Sequence, residues 1–242
     1  MEDFERTQEL TRERIRERKA KRRRDFLMHV AVCSASVLIF LFVGGVILKA
    51  IAPKPTIVEE FPIKYVENPP AYTEQFLTVN EYSRPGVPLE KIEGIVVHYT
   101  ANPGTTAQQN RSYFEGLAES KKTKSSSHFI IGLAGEIIQC VPLNEIAYAS
   151  NERNADTISI ECCIDNEEGR FNEATYDALV HLTAWLMGEY ELEIDDVIRH
   201  YDVTGKNCPK YFVEHESAWF DFKLDVERYI ETHGIEKIEN ED

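Results

Sequence analysis

Two histidines and a cysteine stand out by chemical type: His98, His200 and Cys208. Imidazole nitrogen and thiolate sulfur are good zinc donors, and three protein ligands with a fourth position left open make a catalytic zinc centre. Cys208 follows His200 within the segment His200-Tyr201-Asp202-Val203-Thr204-Gly205-Lys206-Asn207-Cys208-Pro209, while His98 lies far upstream. Each signal is weak alone. A lone histidine is more often a satisfied polar residue than a ligand, and a lone cysteine is more often a small core hydrophobe. Spacing by itself does not make them a metal site. Glu161 sits at the end of the β-rich run Thr157-Ile158-Ser159-Ile160-Glu161. An ionised carboxylate facing a core is costly there, so the residue reads either as an exposed salt-bridge partner or as the acid of a site.

The elements that must position these residues can be read from periodicity. Residues 94–99 form a short apolar, β-branched run ending near His98, which suits a buried strand. Residues 108–117 read as a helix. Residues 128–133 and 136–141 read as two strands joined by Ala134-Gly135, a hairpin signal. A further strand is expected over 157–163, and a helix over 173–190 with Leu179, Leu182 and Leu186 at helical spacing. A short strand over 197–200 and a closing helix over 219–232 complete the set. Strands interspersed with helices predict an α/β fold with a central mixed β-sheet flanked by helices. In this arrangement strand ends at one edge of the sheet bring His98 and His200 together, with Cys208 supplied by the loop beyond.

Charge is unevenly distributed. The formal net charge is −15, yet residues 1–25 hold ten Lys/Arg against seven Asp/Glu, and residues 54–242 hold sixteen against thirty-five. So acidic an outer part repels phosphate backbones, which speaks against nucleic acid as a partner. The five cysteines, Cys33, Cys140, Cys162, Cys163 and Cys208, are too sparse and odd in number for a disulfide framework. Cys162 and Cys163 are adjacent in a strand and should point to opposite faces. A disulfide from Cys140 is compatible with an extracytoplasmic location, but free buried thiols are the expectation.

Residues 26–48 carry no formal charge. At about 1.5 Å rise per residue such a helix covers the roughly 30 Å hydrocarbon core of a bilayer. Arg18-Lys19-Ala20-Lys21-Arg22-Arg23-Arg24 precedes it, and only Lys49 and Lys54 follow closely. The positive-inside rule then makes residues 1–25 a basic cytoplasmic stub, 26–51 a transmembrane anchor, and the remainder extracytoplasmic. Ala50-Ile51-Ala52 resembles a signal-peptidase site, but Pro53 is a poor residue after a scissile bond and the apolar run exceeds a signal h-region. An uncleaved single-pass cell-membrane anchor is therefore expected. Residues 52–90 are proline-rich and read as a stalk to about residue 75, followed by an extension that packs through Phe76, Leu77, Val79 and Tyr82. The folded domain is expected over 91–233, as a monomer, with a frayed acidic tail over 234–242.

Several separated motifs, in order from about residue 91 to 230, resemble the zinc-dependent N-acetylmuramoyl-L-alanine amidases. That family includes phage lysins and wall-associated bacterial enzymes and shares its fold with the peptidoglycan recognition proteins. The motifs are Val96-Val97-His98-Tyr99-Thr100, Ser126-Ser127-His128-Phe129-Ile130-Ile131, Gly135-Glu136-Ile137-Ile138-Gln139, Ala147-Tyr148, Ser159-Ile160-Glu161, and Arg199-His200-Tyr201-Asp202 through Cys208-Pro209. The resemblance implies that His98, His200 and Cys208 bind Zn2+, that Glu161 is the catalytic glutamate, and that Lys206 is the lysine two before the last ligand. It implies a hydrolase acting on peptidoglycan, at the amide between N-acetylmuramic acid and L-alanine. Two departures from the pattern stand out. Ser127 occupies the position of a catalytic tyrosine found in some relatives. Ala147-Tyr148 leads to Ala149-Ser150-Asn151 where many relatives place a histidine. His128 is left with three readings: substrate contact, ligand orienter or packing residue. Two other readings stay open: a catalytically silent, membrane-tethered wall-binding module, and a zinc peptidase acting on stem peptides.

Overall fold

A computed structural model describes residues 63–237 of the chain. Among these residues the central sheet runs in the order β2 (Thr73–Glu74), β5 (Ile137–Gln139), β4 (Phe129–Ile131), β6 (Ile158–Cys162), β3 (Ile95–Tyr99) and β7 (Val197–Arg199). β3 lies parallel to both β6 and β7, and β4 lies parallel to β6. β4 and β5 form the antiparallel hairpin expected around Ala134-Gly135. Gly135 has φ +80°, a left-handed conformation that glycine adopts without steric cost. The sheet is mixed, as the alternation of elements predicts.

Side-chain alternation divides the core between two faces. Ile95, Val97, Phe129, Ile131, Ile158, Ile160 and Cys162 point to one face. It is covered by α2 (Glu173–Glu189) and by α5 (Glu216–His233). Leu179, Leu182 and Leu186 of α2 are fully buried there, each contributing about 1.5–3 kcal/mol relative to exposure. Ile130, Ile138, Cys140 and Cys163 point to the other face, under α1 (Ala107–Ser120). Cys162 and Cys163 thus face opposite ways, and Cys140, Cys162, Cys163 and Cys208 are free and buried. Thr106 starts α1 with a capping box to Gln109, and the Asn172 side chain accepts from Thr175 N–H to start α2. His98 and Glu161 are paired residues of β3 and β6, so both lie on the α1 face, outside the larger core.

The segment preceding residue 91 differs from expectation. β1 (Lys64–Tyr65) pairs antiparallel with β8 (Ile235–Glu236), and β2 lengthens the main sheet beside β5. Residues 63–75 therefore belong to the folded unit rather than to a free stalk, and Ile235–Glu236 is a paired strand rather than a frayed tail. Proline favours extended backbone, and extended backbone serves an edge strand as well as a stalk. Leu77 is buried and Tyr82 half-buried, but Phe76 and Val79 stay exposed. The basic stub, the anchor over 26–51, residues 52–62 and the tail beyond 237 lie outside the described residues. Among the described residues no helix is long and apolar enough to cross a membrane.

His128 proves to be a packing residue. Ser159 N–H donates to its Nδ1 at 3.0 Å, and its Nε2–H donates to the Glu145 carbonyl at 2.9 Å. Both ring nitrogens are satisfied only in the neutral form, and burial pushes the imidazole down to about 4. Its folded value lies below its unfolded one. The stability it contributes is therefore complete above about pH 6.5 and is lost as pH falls towards 4. Urea unfolding should show the stability advantage of the parent over His128→Gln shrinking by roughly 3 kcal/mol between pH 7 and pH 4. A difference independent of pH would remove this role.

Candidate metal centre

β3 and β7 run parallel and end at the same edge of the sheet. His98 is the penultimate residue of β3, and His200 opens the short helix α3 (His200–Thr204) directly after β7. Their rings approach to 4.6 Å between centroids. After one turn of α3 the chain reverses at Gly205, whose φ of +78° favours glycine. Tyr201 N–H then donates to the Cys208 carbonyl at 2.9 Å, which returns Cys208 to the first turn of α3. The separation of His200 and Cys208 in sequence is the length of this turn-and-return.

Arg199 braces the segment. It is buried, binds Asp202 through Nε (3.0 Å) and Nη2 (2.8 Å), and donates through Nη1 to the Phe212 carbonyl at 2.9 Å. Its guanidinium also lies over the Trp219 ring of α5. The brace ties the end of β7 to α4 (Lys210–Glu214), which carries Phe212, and to α5.

One donor atom from each of His98, His200 and Cys208 lies within 4.8 Å of the other two, and all three residues are buried. Cys208 Sγ is 3.9 Å from His98 Nδ1. His200 Nδ1 is buried with no hydrogen-bond partner, whereas the Nε2 atoms of His98 and His200 meet Ser150 Oγ (3.2 Å) and Asn151 Oδ1 (3.1 Å). A buried imidazole nitrogen without a partner is costly, and a cation among these atoms would satisfy it. The two nitrogens and one sulfur suit zinc. The residues present therefore fit the metal.

Electrostatics agree with a cation-binding cluster. Burial holds His98 well below the ordinary imidazole value, with the charges of His200 and Lys206 adding to the effect. Burial, with Lys206, brings His200 down to about 4. Both are neutral near pH 7, the state that ligates. Burial pushes the Cys208 thiol up to about 12, with Glu161 adding, while a backbone hydrogen bond from Tyr99 and the Lys206 charge oppose it. Burial likewise raises Glu161 to about 8 against the pull of Lys206. A divalent cation reverses both shifts by favouring thiolate and carboxylate.

Of the residues singled out in sequence, His98, His200 and Cys208 converge as one cluster. Glu161 stands on the neighbouring strand in register with His98, half-buried, its Oε2 buried and without a partner. Lys206 is exposed in the return loop, and its charge is felt by His98, Glu161, His200 and Cys208. Thr100, two residues beyond His98, also carries a buried Oγ1 without a partner. Sequence reasoning passes over Ser150 and Asn151. The signal that points to them is the departure after Ala147-Tyr148, where polar residues replace an expected histidine.

A mixed sheet flanked by helices, carrying a buried His-His-Cys cluster at its edge with a carboxyl beside it, has the α/β architecture of the amidases. The chain belongs to the N-acetylmuramoyl-L-alanine amidase family, whose model matches residues 88–211. Among curated relatives, an N-acetylmuramoyl-L-alanine amidase of Bacillus licheniformis, CwlL, is 33% identical over 177 residues, covering 68% of this chain and 49% of the relative. BlyA of Bacillus subtilis is 32% identical over 187 residues, covering 69% and 49%. The chain thus spans about half the length of these relatives. The solved catalytic domain of XlyA superposes with a TM-score of 0.55 at 28% identity, over 65% of this chain and 99% of that domain.

The full chain is expected to take up about one zinc ion per molecule, measured by elemental mass spectrometry. Cys208→Ala should drop this to near zero while far-UV circular dichroism stays unchanged. A variant that kept its zinc would remove Cys208 from the ligand set.

Proposed function

We propose that this chain is a peptidoglycan hydrolase that cleaves the amide bond between N-acetylmuramic acid and the L-alanine of the stem peptide. The observation that carries the reading is Glu161: a carboxyl with a buried, unpartnered oxygen, in register with His98 at the edge of the His98–His200–Cys208 cluster. Zinc, when bound by these three residues, supplies a Lewis acid and brings the pKa of water toward about 7.

Glu161 is the general base and acid. Its carboxylate accepts a proton from the attacking water and passes it to the amine that leaves as the new N-terminus of the stem peptide. Lys206 carries its ammonium in the loop between two ligands, where it stabilises the negative charge that develops on the substrate carbonyl oxygen. His98 and His200, neutral near pH 7, and Cys208, as thiolate, would hold the metal, and none would need to exchange a proton during turnover.

Purified cell wall incubated with the full chain should release intact stem peptides bearing a new N-terminal alanine, read by mass spectrometry. New reducing sugar ends, or stem peptides cut internally, would each identify a different hydrolase. No product at all would identify a silent binding module. Glu161→Gln should retain zinc and lose about 10²–10⁴-fold in kcat, and Lys206→Met should retain zinc and lose about 10²–10³-fold. An unimpaired Glu161→Gln would overturn the acid–base assignment.

We further infer that residues 26–51 anchor the chain in the cell membrane, with residues 1–25 in the cytoplasm and the catalytic domain outside. Hydrophobic length and the basic cluster before the run support this topology. Protease added to intact spheroplasts should digest the catalytic domain while leaving a cytoplasmic marker whole. Protection of the domain would reverse the topology.

A further inference from the structure

Two side chains outside the ligand set occupy the far nitrogens of the ligand imidazoles. Ser150 Oγ lies 3.2 Å from His98 Nε2, and Asn151 Oδ1 lies 3.1 Å from His200 Nε2. They are consecutive residues of one loop, and each meets a different histidine. A single backbone segment thus touches both strand ends of the cluster.

That loop is itself held on every side. Ser126 Oγ accepts from Tyr148 N–H at 2.9 Å, and Ser126 N–H donates to the Tyr148 carbonyl at 3.0 Å. Asn154 Oδ1 accepts from the backbone N–H of both Ala149 (3.0 Å) and Ser150 (2.6 Å). Ser150 is buried, and Asn151 opens the 3-10 turn Asn151–Ala155 with φ +54°. Asparagine adopts this left-handed conformation more readily than most residues, whereas a residue such as alanine is strained there. The backbone that presents the two oxygens is therefore specified, not incidental.

An imidazole has two nitrogens, and in the neutral ring one carries the proton while the other offers a lone pair. Asn151 Oδ1 can only accept, so it keeps the proton on His200 Nε2 and leaves Nδ1 bare; the Ser150 hydroxyl, able to accept or donate, takes the acceptor role toward His98 Nε2 when Nδ1 is the ligating atom. The bare Nδ1 atoms are those on the cluster side: His98 Nδ1 faces Cys208 Sγ, and His200 Nδ1 is the buried atom without a partner. Acceptors behind metal-binding histidines also fix ring orientation and raise ligand basicity.

We propose that Ser150 and Asn151 are positioning residues that hold His98 and His200 in the Nε2–H tautomer, aimed through Nδ1 at a shared zinc ion. The inference rests on the zinc reading above. It assigns a role to the stretch after Ala147-Tyr148, where many relatives place a histidine and this chain has Ala149-Ser150-Asn151. Neither residue touches the reacting atoms; they act through the ligands.

The test uses the full chain, Zn2+ and a competing chelator. Asn151→Gly removes the acceptor while keeping a residue at ease with positive φ, and Ser150→Ala removes the other acceptor at little change of volume. Each should weaken zinc binding about 10–100-fold with the thermal midpoint of the metal-free chain unchanged. Asn151→Asp, which keeps an acceptor oxygen, should bind within about threefold of the parent. Zinc affinities of Asn151→Gly and Ser150→Ala equal to the parent's would overturn the proposal and leave the zinc reading standing. A parent that takes up no zinc would instead overturn the zinc reading. A second measurement needs no variant. Nitrogen NMR of the histidine-labelled, metal-free parent should find both rings in the Nε2–H tautomer, and an Nδ1–H tautomer at either would equally overturn the assignment.

Discussion

A thiol, two imidazoles and a carboxyl meet at one buried sheet edge, and burial disfavours the charged form of each. It moves Cys208 up to about 12 and Glu161 up to about 8, and brings His200 down to about 4. Left to themselves such groups would be neutral near pH 7, with His200 Nδ1 and Glu161 Oε2 unpartnered. A divalent cation turns that liability into affinity: it favours the thiolate and the carboxylate and takes up the bare nitrogens. The desolvated pocket is thus electrostatically suited to a divalent cation.

The scaffold serves that convergence. Parallel pairing of β3 with β6 and β7 brings three strand ends to the same edge, so His98, Glu161 and His200 come together without long loops. The fourth member, Cys208, depends on a short helix, a left-handed glycine and one backbone hydrogen bond. Arg199, locked to Asp202 and to the Phe212 carbonyl, keeps that turn fixed against the core. The larger apolar core lies on the opposite face, under α2 and α5, while the site shares its face with the smaller apolar cluster under α1.

Much of this is legible in the amino-acid sequence. Leucines at helical spacing mark α2, and short β-branched runs mark β3 and β6, because period and burial are local properties of the chain. The carboxyl at Glu161 is ambiguous in sequence, since a strand residue can face core or solvent; its register with His98 sets it beside the cluster. His128 is equally ambiguous and resolves the other way, into a packing residue whose two nitrogens are both used by backbone groups. The proline-rich stretch misleads for a physical reason: extended backbone reads the same whether it hangs free or adds a strand to a sheet.

What the sequence determined by itself was the inventory and its order: an α/β alternation, two histidines and a cysteine in motif context, a glutamate closing a strand, and a long uncharged run before the domain. Hydrophobic period, residue chemistry and motif order are carried along the chain, so they can be read along it. Only the tertiary structure decided which atoms meet. Ser150 and Asn151 reach His98 and His200 across 52 and 49 positions of sequence, and no local pattern encodes such a meeting. It arises because a loop pinned at Ser126 and Asn154 crosses the strand ends, a consequence of packing rather than of period.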